Sequence, residues 1–133
     1  IVHASDGFDE LSNTCENEVI WIKDGKVKRL HLNPKTLGLR TARVEQLIVK
    51  SKDDSIKSTL EVIYGKAPAE MEDMAVINAA AALVVGKIVG DLNEGVVTAR
   101  QAIKKGAAKE KLCQLIKNCG DPKKLIEAEK KFL

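Results

Sequence analysis

Aromatic side chains make up only 3% of the chain, namely Phe8, Trp21, Tyr64 and Phe132. Aliphatic residues and alanine must therefore fill the core. Aromatics interleaved with clustered basic residues, the usual platform for nucleic acid, are missing. Lys and Arg exceed Asp and Glu by 22 to 19, and the net charge of +3 is spread along the chain. That distribution argues against a dedicated nucleic-acid surface. Cysteine is scarce too: Cys15, Cys113 and Cys119 are odd in number and form no CxxC pair. They describe free thiols in a reducing, cytoplasmic setting, not a disulfide frame or a zinc site. No uncharged stretch reaches membrane-spanning length, and the run from Ala75 to Val85 is both too short and interrupted by Asn78. The familiar catalytic signatures GxGxxG, Walker A, HExxH and GxSxG are absent. His3 and His31 are the only histidines, and neither has an obvious nucleophile beside it.

What is present is a chain of 133 residues, 44% hydrophobic and 31% charged, which suits one globular domain. Near its start a short apolar entry, Ile1-Val2-His3-Ala4, runs into Asp6-Gly7-Phe8-Asp9-Glu10-Leu11-Ser12. Three carboxylates within five residues, on a glycine-broken loop after a strand, admit two readings. They are solvated loop acids, or they hold a hard divalent cation such as Mg²⁺ together with water and phosphate oxygens. Neighbours on an extended strand point to opposite sides, so only a turned loop brings Asp9 and Glu10 to one cation. His3 either orients that loop or is structural, and His31 reads as a strand-face residue. The chain opens on Ile1 with a strand already under way, which suggests a fragment of a longer polypeptide.

Glu18–Lys23 and Val27–Leu32 flank Asp24-Gly25, the strongest local signal for a β-hairpin. The alternating second arm predicts one wet face. Asn33-Pro34 ends it, and the mixed segment from Leu37 to Val49 is read as irregular. From Asp53 the period becomes helical. Ile56, Leu60 and Ile63 share a face before the stop at Gly65, and Ser51, Asp53 and Asp54 are candidate caps. A second helix is expected from Ala69 to Val89, ending at Gly90. It is apolar around nearly its whole circumference, hence central and buried, with Asn78 as a satisfied core amide. A helix capped by Asp91 runs to Gly106, and another from Ala107 to Asn118 is expected to turn Leu112, Leu115 and Ile116 inward. Asp121-Pro122 opens the last helix, with Leu125, Ile126 and Phe132 on its apolar stripe and Lys123, Lys124, Lys130 and Lys131 solvated.

Four blocks in order carry a resemblance. Val2-His3-Ala4-Ser5-Asp6-Gly7-Phe8-Asp9-Glu10-Leu11-Ser12 resembles the VHG-x-DGLDE-[LIV]-S segment of anthranilate phosphoribosyltransferases. Leu32-Asn33-Pro34-Lys35-Thr36-Leu37-Gly38-Leu39 is similar to the LDPEDLGL block after that family's hairpin. Val76-Ile77-Asn78-Ala79-Ala80-Ala81-Ala82-Leu83 matches its LLNAAAAL helix, and Asp91–Val96 with Gly106-Ala107-Ala108 matches its SLEEGV…SGAA pair.

The resemblance implies an α/β fold, with residues 1–133 forming the C-terminal part of a phosphoribosyltransferase-like (nucleoside-phosphorylase-like) α/β domain. Strands and a hairpin come first, then a helical half. It implies transfer of the phosphoribosyl group of 5-phosphoribosyl-1-pyrophosphate to anthranilate, giving N-(5-phosphoribosyl)anthranilate and pyrophosphate in tryptophan biosynthesis. Asp9 and Glu10 fall on the family's Mg²⁺-binding pair, and no other catalytic or cofactor-binding residue maps onto this chain. Ala4 stands where the family has glycine. The family's GTGGD-type phosphate loop, HGN-type segment and anthranilate-contacting arginine are absent, as is its N-terminal helical domain, which implies a homodimer in the complete enzyme. The chain is thus expected to supply the Mg²⁺ loop and to be inactive alone. The alternative is a non-enzymatic nucleic-acid-binding relative. A pyrimidine nucleoside phosphorylase is disfavoured by the Asp9-Glu10 pair.

Overall fold

A computed structural model describes residues 1–133. Three strands come first: β1 (Val2–Ala4), β2 (Asn17–Lys23) and β3 (Lys26–Leu32). Short 3₁₀ turns at Pro34–Leu37 and Val44–Gln46 lead into five helices. These are α1 (Lys52–Ile63), α2 (Ala69–Val85), α3 (Leu92–Lys104), α4 (Ala107–Cys119) and α5 (Pro122–Phe132).

The strands form one antiparallel sheet in the order β1-β2-β3. The hairpin forms as expected because Asp24 (φ 49°) and Gly25 (φ 71°) both take the left-handed backbone that a tight two-residue turn needs. Val2, Val19 and Leu32 lean on the core. The expected wet face of β3 extends to both sides, since every residue from Lys26 to His31 is exposed. As the outer strand of a small sheet, β3 reaches the core only at its Leu32 end.

In α1 the Ser51 hydroxyl accepts from the Asp54 N–H at 3.0 Å, which makes Ser51 the cap, and Gly65 (φ 66°) ends the helix. Helix α2 stops at Val85, four residues before the expected end. Lys87 turns left-handed (φ 57°) while Ile88 N–H donates to the Leu83 carbonyl and Lys87 N–H to Val84. That is a Schellman stop built on a lysine, and nothing in the apolar pattern of 83–89 signals it.

Helix α3 packs tightly on α2. A Cβ at Gly95 would lie 2.9 Å from Cα, Cβ and O of Ala80, so the alanine run and this glycine together allow near contact of the two backbones. The core gathers around that crossing: Leu11, Leu39, Val76, Ile77, Ala80, Val96 and Ala99. Burial of α2 is one-sided, with Ala79, Ala82 and Val85 exposed, so the expectation of an all-round buried helix does not hold within this chain. Leu115 (56% exposed) and Ile126 (49% exposed) also face outward, against expectation. Neither α4 nor α5 has a buried residue: α4 packs on α3, α5 packs on α1, and the two touch each other at the margin of the bundle.

Asp73 sits wholly buried in α2. Its carboxylate accepts from Arg100 Nη2 at 2.5 Å and from the Arg40 backbone N–H at 2.8 Å, and the Arg40 guanidinium stands 3.5 Å away. The buried Asn13 donates through Nδ2 to the carbonyls of Arg40 and Glu70, tying the same loop to the start of α2.

Candidate functional site

The acidic loop leaves β1 at Ala4 and turns at Gly7, whose φ of 98° favours glycine. Ala4 closes the turn, donating its N–H to Phe8 O at 3.0 Å and accepting from Gly7 N–H at 2.9 Å. Asp6 knits the loop internally. It accepts from the Phe8 N–H and from the Thr14 hydroxyl, which in turn lies 2.7 Å from Ser12 Oγ. Desolvation pushes the Asp6 carboxyl up, but the Thr14 hydroxyl, the Phe8 amide and the Cys15 thiol outweigh it and hold the group below its ordinary value. The far end of the loop is buried: Leu11, Ser12 and Asn13 are in the interior. Asn17 holds Ser12 from both sides, accepting its N–H at 2.7 Å and donating to its carbonyl at 2.8 Å.

Between these two anchored ends stand Asp9 and Glu10. Both are exposed, and neither carboxylate takes a hydrogen bond or an ion pair from the chain, unlike Asp6, Asp73 and Glu18. Glu10 and Phe8 border an apolar cleft of about 430 Å³ between the loop, α1 and α2, whose wall includes Val62, Met71 and Met74. Two adjacent, unpaired carboxylates on a turned loop are hard oxygen donors, and their chemistry fits Mg²⁺. No group of three His, Cys, Asp or Glu side chains converges anywhere in the chain. A cation here would fill its remaining positions with water and ligand oxygens, the usual habit of Mg²⁺.

The histidines stand apart from this loop. His3 pairs with Glu18 across the β1–β2 ladder and His31 pairs with the same Glu18 from β3. Both lie on the exposed face of the sheet, and Glu18 is engaged by Arg29 at 2.8 Å. The His3 side chain forms no hydrogen bond or ion pair with the acidic loop. The three cysteines are unpaired, as expected.

Two features of the site were not anticipated. Asn78, expected only to be a satisfied amide, reaches from α2 to the acidic loop and bonds the residue after Glu10. Its sequence signal was its isolation as the lone polar residue in the apolar run from Ala75 to Val85. The Asp73–Arg40–Arg100 cluster that fixes the next loop to α2 and α3 had no such signal, because its members lie 27 and 33 residues apart.

Residues 1–109 match the glycosyl transferase family, a/b domain. The chain is 39% identical over 115 residues to an anthranilate phosphoribosyltransferase of Methylobacterium nodulans, covering 86% of this chain and 34% of that protein. It is 36% identical over 127 residues to the Cenarchaeum symbiosum anthranilate phosphoribosyltransferase, covering 96% and 37%. In three dimensions it superposes on the anthranilate phosphoribosyltransferase of Saccharomyces cerevisiae in complex with PRPP and Mg, with a TM-score of 0.72 over 83% of this chain and 32% of the yeast chain, at 23% identity. The last likeness concerns the fold. The chain spans about a third of the length of the curated relatives it matches. No helix is long and apolar enough to cross a membrane. By sequence and by fold, the chain belongs to the glycosyl transferase family through its a/b domain, and its relatives there are anthranilate phosphoribosyltransferases.

Proposed function

We propose that residues 1–133 form the C-terminal portion of one α/β phosphoribosyltransferase domain and contribute Asp9 and Glu10 as its Mg²⁺ ligands. The reaction is transfer of the phosphoribosyl group of 5-phosphoribosyl-1-pyrophosphate to the amine of anthranilate, with release of pyrophosphate, in tryptophan biosynthesis. The observation that carries this reading is the unpaired Asp9-Glu10 pair, held between two anchored loop ends and open to solvent. Carboxylates kept free of Lys and Arg are available to a cation, whereas Asp6 is committed to holding the loop.

When bound, Mg²⁺ neutralises charge that develops on the pyrophosphate oxygens as the C1′ bond breaks. The chain's own part is to present two carboxylates from a rigid turn. The arylamine nucleophile is neutral and requires placement more than a strong base, and this chain brings no such base near the loop. It also contains no Gly-rich phosphate loop. The cradle for ribose and phosphate therefore belongs to the two thirds of the relatives' length that this chain does not span. In that enzyme an N-terminal helical domain joins two copies as a homodimer.

Reconstitution tests the proposal. The chain is mixed with the N-terminal two thirds of a relative, and loss of anthranilate fluorescence is followed with Mg²⁺ and 5-phosphoribosyl-1-pyrophosphate. Transfer should appear only when both pieces are present, and Asp9→Asn with Glu10→Gln should lower it about a hundredfold. Equal rates for the double variant and the parent would overturn the assignment of the acidic pair.

A further inference from the structure

Asn78 lies in the apolar stretch of α2, and its amide is almost fully used. Oδ1 accepts from the Leu11 N–H at 3.1 Å, while Nδ2 donates to the Leu11 carbonyl at 2.7 Å and to the Met74 carbonyl at 3.0 Å. One side chain that takes both backbone groups of a single residue imitates the exchange within an antiparallel ladder. It fixes the peptide planes on both sides of Leu11, and the first of these planes carries the Glu10 carbonyl. The bond to Met74, one helical turn back, fixes the amide itself. Leu11 is 1% exposed and belongs to the core cluster, so the clamp ties the backbone after Glu10 to the buried core.

We propose that Asn78 is a positioning residue for the acidic pair. It holds the backbone that follows Glu10 against α2 while the Ala4–Phe8 and Asp6–Phe8 bonds hold the backbone before Asp9. Only Asp9 and Glu10 are left unrestrained, and their carboxylates start from one backbone conformation. The inference rests on reading these two residues as cation ligands. A prearranged pair loses less freedom on binding, and removing an outer partner of a metal ligand costs about tenfold to a hundredfold in affinity.

Mn²⁺, as a probe for Mg²⁺, reports this by broadening the backbone amide signals of Asp9 and Glu10 in the 133-residue chain. The parent is compared with Asn78→Ala, with Leu60→Ala as a core substitution on α1 away from the clamp, and with the Asp9→Asn, Glu10→Gln double variant. Asn78→Ala should weaken Mn²⁺ binding about tenfold and speed hydrogen exchange at the Leu11 amide, while Leu60→Ala should do neither. If Asn78→Ala does not fold, the isosteric Asn78→Asp, which cannot donate to the Leu11 carbonyl, replaces it with the same expected outcome. Parent-like Mn²⁺ affinity in the Asn78 variant, or an equal loss in Leu60→Ala, overturns the positioning role alone. Mn²⁺ binding that ignores the double variant overturns the cation reading, and the role of Asn78 with it.

Discussion

Tyr64 shows how one side chain ties distant parts of this sequence. Its hydroxyl donates to the Glu129 carboxylate of α5, and Lys109 of α4 stands over its ring at 4.7 Å from the centroid. Desolvation and then the Glu129 carboxylate push the phenol well above its ordinary value. The folded value is the higher one, so this stabilisation is complete below the unfolded value of about 10 and is lost as pH rises through the folded value. Tyr64 is the only tyrosine. Phenolate absorbance of the folded chain should therefore stay flat as pH passes about 10, whereas the urea-unfolded chain should titrate there. Coincident titrations in the two states would contradict the Tyr64–Glu129 bond. At this scale the sequence was uneven evidence. The acidic loop and the oddness of Asn78 could be read from local pattern, while the role proposed for Asp9 and Glu10 comes from the resemblance alone. The partners of Asn78, Asp73 and Tyr64 could not, because each bond closes a loop of 27 to 67 residues.

Among the elements, those defined by backbone chemistry were the most legible. The Asp24-Gly25 hairpin, the Asp91 and Asp121 caps and the Gly65 and Gly106 stops each depend on a few adjacent residues, and all are present, while of the three candidate caps for α1 the structure uses Ser51. Burial was read less well, because periodicity gives the apolar side of a helix without saying whether anything covers it. Leu115, Ile126 and the outer side of α2 lie on apolar stripes and are nonetheless exposed. The α2–α3 crossing is the tightest junction, and its geometry makes a clear demand on one position. Gly95→Ala would place a methyl group 2.9 Å from the Ala80 backbone, which cannot rotate away, so the helices must separate. The expected cost is about 1–3 kcal/mol, read as a lower urea midpoint with an unchanged slope. A parent-like midpoint would show that the α2 and α3 backbones leave room for a methyl group between Gly95 and Ala80.

For the molecule as a whole, only 16 of 133 residues are buried, while Ile22, Val27, Val85, Ile88 and Val97 are each more than half exposed. These residues lie on the β2–β3 hairpin, at the end of α2 and on α3, and the chain spans about a third of its relatives' length. The role proposed for Asp9 and Glu10 is to hold a cation for phosphoribosyl transfer. The most direct measurement is the rate of phosphoribosyl transfer against Mg²⁺ concentration in the reconstituted enzyme, for the parent, Asp9→Asn and Glu10→Gln. Each single variant should require about tenfold more Mg²⁺ for half-maximal rate, with its fold unchanged by circular dichroism. Mg²⁺ curves that superpose on the parent in both variants would contradict the account.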